Sequence, residues 1–460
     1  MTQLDIAAIA AELASANFDD PRLTKRLKAI VTAVGRDPAA SLPSALSSAE
    51  LEGAYRFFSN PRVTLGAIMA PHFEATRARV ADEQRVRVLH DQTEFGYRAH
   101  GKRRGLGNRT YQGFSGHFSL VVAADESRKP LGLAGLHTWV RGGTGPTEHS
   151  YWLTQVEATA QSLACGAKAV HVMDRGADDY VLIQALLAAD HRFVMRVSNR
   201  RVMSSEHGCV RLGDVLCTEQ VSERRIFLNR RRRIAWETLR KIHPPREERE
   251  TTLFFAAEQV VLARPPITNV SKARLSHLPE IIQLNAVRVW EPEPPDGEQP
   301  VEWFLMTNEP IETEKDVCAI VDHYRARWTI EEYFKALKTG CAFERRQLQD
   351  YEALLNALGV FAPLAYHVLL LRTQARSQPD APATTVVSSE QIEVLRALGR
   401  RELPANPSAR DALLAVAALG GHIKYASDPG WLTIARGFEK LVWLTAGWMA
   451  AKLQPACDQS

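Results

Sequence analysis

Residues Tyr324–Lys338 read YRARWTIEEYFKALK and contain neither Gly nor Pro. At about 100° per residue of helix, Tyr324, Arg327, Glu331, Lys335 and Lys338 fall within roughly a quarter of the circumference. Ile330, Tyr333, Phe334 and Leu337 lie opposite, as a core-facing stripe should. One face therefore packs, and the other presents a phenol, a guanidinium, a carboxylate and two ammoniums. A carboxylate among cations suits a metal ion whose neighbours hold phosphate oxygens. The same spacing also fits a solvated face with i,i+4 pairs such as Arg327–Glu331 and Glu331–Lys335. Spacing alone leaves both readings open.

The chain has 460 residues, enough for two or three domains. Apolar residues make up 45% and charged ones 24%, an ordinary globular composition. A net charge of +4 is only mildly basic, so any nucleic-acid affinity must come from local patches. No two of the six cysteines have C-x2-C spacing, which argues against a zinc site or a disulfide framework. The N-terminus carries Asp5 and Glu12 and lacks the basic start of a signal peptide. No 18-residue apolar run is expected to span a membrane, so the expected compartment is the cytoplasm.

Residues 1–80 read as a helical domain. Asp20-Pro21 marks a helix start, Gly35 and the SLPS segment around Pro43 are read as breaks, and a further helix covers Glu52–Phe58. Arg22, Lys25, Arg26, Lys28, Arg56 and Arg62 give this region a basic face, which suits either a DNA reader or a plain helical cap. From residue 85 the period becomes that of strands. RVRVLHD delivers Asp91, Phe114–Ala124 and Leu131–Val140 follow, then a helix over Tyr151–Cys165 and a buried strand ending in Asp174. A helix over Asp178–Ala189 and a strand over Arg192–Val197 complete the order β-β-β-α-β-α-β. That is the order of a ribonuclease-H-like α/β core, in which the first and fourth strands lie parallel and bring Asp91 and Asp174 together at adjacent strand ends. Two such carboxylates raise each other's pKa unless cations intervene.

The interval from Asp174 to Glu331 is too long for one loop. Residues 198–300 read as a mostly β insertion with a basic run, Arg230–Arg233, that is either a DNA contact or a solvated loop. A strand over Val301–Pro310 returns to the core. The catalytic domain would span 81–350 and a helical C-terminal region 351–460, with a linker over Ser377–Thr385.

Tyr324, Arg327, Glu331 and Lys338 form Y-x2-R-x3-E-x6-K. This resembles the signature of bacterial insertion-sequence DDE transposases, the group that includes the cut-and-paste enzyme of the kanamycin-resistance composite transposon. HDQT at Asp91 resembles the first acidic motif, usually Asp-Thr-Thr, and DRGAD from Asp174 the second, usually Asp-Arg-Glu-Ala-Asp. Gln92 and Gly176 depart from those patterns without removing an acid. The resemblance implies that Asp91, Asp174 and Glu331 are catalytic and hold two Mg2+ ions, with Mn2+ as a substitute. It implies that Tyr324, Arg327 and Lys338, and Arg196 more weakly, hold DNA phosphates, and that Trp303 stacks on an extruded base, although a tryptophan there also suits a core. DPRLTKRL and EGAYRF resemble the N-terminal DNA-binding domain, which makes Arg26 and Arg56 end-binding residues. LGGHI near Leu419 and the Trp-rich last helix resemble the dimerisation domain. Implied partners are double-stranded DNA, both as inverted-repeat ends and as target, and a second copy of the chain. No membrane is implied, and the setting would be the nucleoid of a bacterial cytoplasm. A nuclease of the same fold without strand transfer, and a non-catalytic DNA-binding inhibitor, are the rival readings.

Overall fold

The computed structural model describes residues 6–97, 102–108, 112–140, 148–164, 168–205, 208–215, 220–228, 230–231, 237, 244–268, 272–423 and 429–453. The N-terminal helices are α1 (Ile6–Glu12), α2 (Pro21–Arg36), α3 (Ser48–Phe58) and α4 (Leu65–Ala81). Asp20 caps α2 by accepting from the Arg22 N–H, and Pro21 takes the first turn, where no amide is needed. Gly35 does not break this helix as expected. It is buried inside α2, which runs on to Arg36, so packing outweighs its weak propensity. Pro43 sits in the first turn of a short helix, Leu42–Ala45. Glu12 ties α1 to α4 through His72 and through Arg79 Nη1 at 2.9 Å, and Arg79 also reaches the Leu131 carbonyl.

The sheet strands are β1 (Val86–Tyr97), β2 (Gly107–Asn108), β3 (Gln112–Ala123), β4 (Pro130–Trp139), β5 (Ala169–Met173) and β6 (Arg192–Val197). Helices α5 (Glu148–Leu163) and α6 (Tyr180–Ala188) make the crossovers. β1 pairs antiparallel with β3 and parallel with β5, while β5 runs parallel to β6. The order β4-β3-β1-β5-β6 is the expected ribonuclease-H-like arrangement. One expectation fails: Asp91 is not at a strand end. β1 continues to Tyr97 against β3, and only its pairing with β5 stops, at Leu89–Val172.

The insertion supplies β7 (Val202–Ser205), β8 (Gly208–Arg211), β9 (Ser222–Leu228), β10 (Arg249–Ala263) and β11 (Ile281–Trp290). These strands extend the central sheet. β12 (Glu302–Thr307) joins β11 to β6 and makes the sheet twelve-stranded. Arg230 pairs with Glu247 at 3.2 Å and Arg231 bridges to Arg246, while Arg232 and Arg233 lie outside the described residues.

The signature stretch is not one helix. α7 (Glu314–Ala326) ends at Arg327, α8 (Trp328–Lys335) follows, and Ala336–Gly340 winds as a π-turn. Lys335 stays one turn beyond Glu331 in α8, but its side chain turns aside, pairing with Glu332 at 3.1 Å and lying over Trp328. The core-facing stripe holds: Ile330, Tyr333 and Leu337 are fully buried.

Behind the sheet runs α9 (Tyr351–Ser377), followed by α10 (Ser389–Leu398), α11 (Ala409–Leu419) and α12 (Trp431–Leu453). α9 corrects the expectation that no apolar run is long enough for a membrane: it passes by length and composition. Yet 78% of that stretch is buried inside the protein, and it packs in the core cluster shared by α2, α3 and the catalytic sheet. The expected linker is partly structured, with Ser377 in α9 and Ala383–Thr385 forming a 3-10 turn.

Candidate active site

Side chains alternate along β1, so Arg87, Leu89 and Asp91 share the face covered by α7 and α8, and His90 points to the α5 side. β5 ends at Met173. Asp174 then caps a single 3-10 turn, its Oδ1 accepting from the Gly176 N–H at 2.8 Å. A Cβ at position 176 would lie 2.9 Å from that oxygen, so glycine suits this close approach. Asp91 and Asp174 line one cavity of about 260 Å3, together with Gln92, Glu94, Ser115 and Trp152.

Glu331 joins them through Arg327. One nitrogen of its guanidinium meets Asp91 Oδ2 at 2.8 Å and the other meets Glu331 Oε1. Burial pushes the Asp91 carboxyl up to about 7; the charges of Asp174 and Glu331 add to this, and Arg327 and the Gln92 N–H oppose it. Among the described residues, no three His, Cys, Asp or Glu side chains already converge as a ligand set, because the guanidinium stands between two of the acids. The donor set nonetheless fits a hard divalent cation. The donors are carboxylate oxygens, and the buried Asp91 is crowded by two like charges that a cation would offset.

Tyr324 is 6% exposed, so it is packed rather than presented, and Trp303 meets it edge-on at 5.6 Å. Trp303 itself is half-buried at the start of β12. Lys338, turned by the π-turn, donates to the carbonyl of Glu94, which lines the acid cavity. Trp303, Tyr324, Arg327, Lys338 and the acids thus form one connected neighbourhood. Arg196 lies on β6 and donates to the Glu302 carbonyl at 3.5 Å. Arg26 and Arg56 are remote from the acids; Arg26 lies across Gly53, and Arg56 is exposed and paired with Glu52.

Sequence reasoning missed Trp152 and the network beneath the acids. His90 Nε2 and His171 Nδ1 are 2.9 Å apart, linking the strands that carry Asp91 and Asp174. Ser119 lies 3.0 Å from His90 and accepts from Gln155 at 2.8 Å. The available signal was a histidine in each of two otherwise apolar strands, RVRVLHD and KAVHVMD.

A ribonuclease-H-like sheet that gathers acids beside a basic helix defines a class of metal-dependent nucleic-acid-processing enzymes. Family comparison narrows this. Residues 75–362 match the family described as Transposase DDE domain, and residues 6–63 match the family described as Transposase DNA-binding. The chain belongs to the DDE transposases: it is a DNA transposase, in a family that uses divalent metal ions to cleave and move DNA.

Proposed function

We propose that the chain is a cut-and-paste transposase of the Y-R-E-K group. It nicks transposon ends, closes a hairpin and joins the 3′-hydroxyls to target DNA. The observation that carries this reading is the double reach of Arg327 to Asp91 and Glu331, beside the cavity that Asp91 shares with Asp174. In this reading Asp91, Asp174 and Glu331 hold two Mg2+ ions, or Mn2+ in their place. When bound, such ions activate an attacking oxygen and stabilise a leaving one at phosphorus. Arg327, once turned from the acids, and Lys338 grip phosphate oxygens with charge-assisted bonds. Tyr324 orients Arg327. Trp303 offers a ring on which an extruded base stacks, and Arg196 steadies the strand nearby.

Residues 1–80 serve as the end-binding domain through Arg26 and Arg56, residues 81–350 as the catalytic domain, and 351–460 as the dimerisation domain of a paired-end complex. The setting is the bacterial cytoplasm, at the nucleoid. The test is incubation of the chain with Mg2+, a plasmid carrying its reading frame with both flanks, and a target plasmid. Joined molecules bearing the element's 3′ ends support strand transfer. Cleaved ends that are never joined make the protein a nuclease and contradict the reading.

A further inference from the structure

A second cavity, of about 930 Å3, lies on the face of the sheet that carries Asp91 and is lined by Arg87 and His323. Arg87 precedes Asp91 by four residues on β1, so the two sites stand about 13 Å apart along the strand. Arg87 is 5% exposed. Its Nε donates to His323 Nδ1 at 2.9 Å, and its Nη1 donates to the carbonyls of Ala123 and Asp125 at 3.1 and 3.0 Å. Because Nδ1 accepts, the neutral ring carries its proton on Nε2. Burial first, then the charges of Arg87, Arg85 and Arg192, hold His323 at about 3, so the ring is neutral near pH 7. His323 is 3% exposed, and among the described residues its Nε2 has no hydrogen-bond partner. A buried N–H donor without an acceptor is costly and calls for one.

The cations of the cavity point the same way. Arg85 is engaged by Glu309, and Arg224 and Arg325 by Asp322. Arg87 and Arg128 have no carboxylate at ion-pair distance among the described residues; Arg128 donates only to the Arg325 carbonyl, at 3.5 Å. Burial lowers the pKa of both, Arg87 to about 10, and neighbouring arginines add to this, while the charge of Asp322, and of Asp125 for Arg87, offsets only part of the cost. Of the lining carboxylates, Asp82, Asp125 and Glu126 are exposed to water, where solvent screens them, while Glu83 and Asp322 are half-buried and Asp322 is taken by Arg224 and Arg325.

We propose that this cavity binds a phosphate group, received by Arg87, Arg128 and the His323 Nε2–H. A neutral ligand would leave both guanidiniums without a counter-charge, and the tetrahedral oxygens of a phosphate, unlike the two coplanar oxygens of a carboxylate, can face donors that converge from separate elements. A DNA backbone phosphodiester and a free phosphate share this chemistry.

Calorimetric titration of inorganic phosphate into the full-length, metal-free protein in chloride buffer tests the site. Saturable binding at one site is expected, with affinity at least tenfold lower in Arg128→Gln, partly recovered in Arg128→Lys, and unchanged in Arg327→Gln. Circular dichroism confirms that each variant is folded. If Arg128→Gln fails to fold, Arg128→Met, which keeps the aliphatic stem and removes the charge, takes its place with the same expected loss. Absence of saturable binding, or equal affinity in the charge-removing variant, overturns the proposal, and loss in Arg327→Gln moves the phosphate to the acid site and overturns it too. Anisotropy of a labelled duplex lacking the end sequences then identifies the source. Weaker duplex binding in Arg128→Gln assigns the site to the DNA backbone, and unchanged duplex binding with lost phosphate binding assigns it to free phosphate.

Discussion

Arg327 holds Asp91 and Glu331 with opposite ends of one guanidinium, and it is largely buried. Arg327→Ala leaves two part-buried carboxylates without their shared cation, near Asp174. Removing the partner of a fully buried charge costs about 3–5 kcal/mol; with the Asp91 and Glu331 side chains 15% and 30% exposed, the loss is about 1–3 kcal/mol, so the metal-free variant should melt a few degrees lower in a thermal scan. Loss of a positioned cation should also cut cleavage by about a hundredfold while end binding in a gel shift survives. Trp303 is half-buried, with its ring edge-on to Tyr324. Trp303→Ala should fold and nick an end but form hairpins poorly, and an abasic site at the flipped position should restore part of the loss. Equal loss of nicking and hairpin formation would make Trp303 a packing residue only. The acids and Arg327 were legible because their types and spacing were informative. The turn of Arg327 inward, onto the acids, was not, because that depends on β1 lying opposite α7 and α8.

Helix α8 is seated by Phe118 of β3, whose ring meets Tyr333 at 5.7 Å and Phe334 at 5.4 Å. Phe118 is fully buried, and it lies directly opposite Asp91 in the antiparallel pair. Phe118→Ala should cost about 3–5 kcal/mol in urea titration and loosen the element that carries Glu331. A cost under about 1 kcal/mol would mean that α8 is held from elsewhere. The apolar stripe of this element was readable because it repeats at helical period. The break at Arg327 and the start of the π-turn at Ala336 were not, since no Gly or Pro marks either position and Gly340 only ends the turn. The strand carrying Asp91 was found for its alternation, but its continuation to Tyr97 depends on pairing with β3, a long-range contact.

Across the whole molecule, one hydrophobic cluster runs from α2 and α3 through the sheet to α9, so the N-terminal helices are packed against the catalytic core. Glu12 is a polar link in this contact. Burial alone would raise its carboxyl, but His72 and Arg79 outweigh burial and bring it down to about 2 from an ordinary 4.5. His72 is itself held down by burial, and its Nε2 accepts from the Leu133 N–H at 3.1 Å, so it serves Glu12 as a neutral Nδ1–H donor, with Arg79 as the counter-charge. The folded pKa lies below the unfolded one. The stabilisation is therefore complete above pH ~4.5 and lost as pH falls towards ~2. Urea midpoints should show the gap between wild type and Glu12→Gln closing across that window, and a gap independent of pH would contradict the assignment. The layering of helices around a ribonuclease-H-like sheet was legible from element order, whereas the fusion of the insertion strands into that sheet was not, because strand partners far apart in sequence leave no local mark. One paired assay tests the three acids most directly. Asp91→Asn, Asp174→Asn and Glu331→Gln are each tested for gel shift and for Mg2+-dependent cleavage on the DNA flanking the reading frame. The prediction is wild-type binding with cleavage abolished in all three, and cleavage retained by any one of them would contradict it.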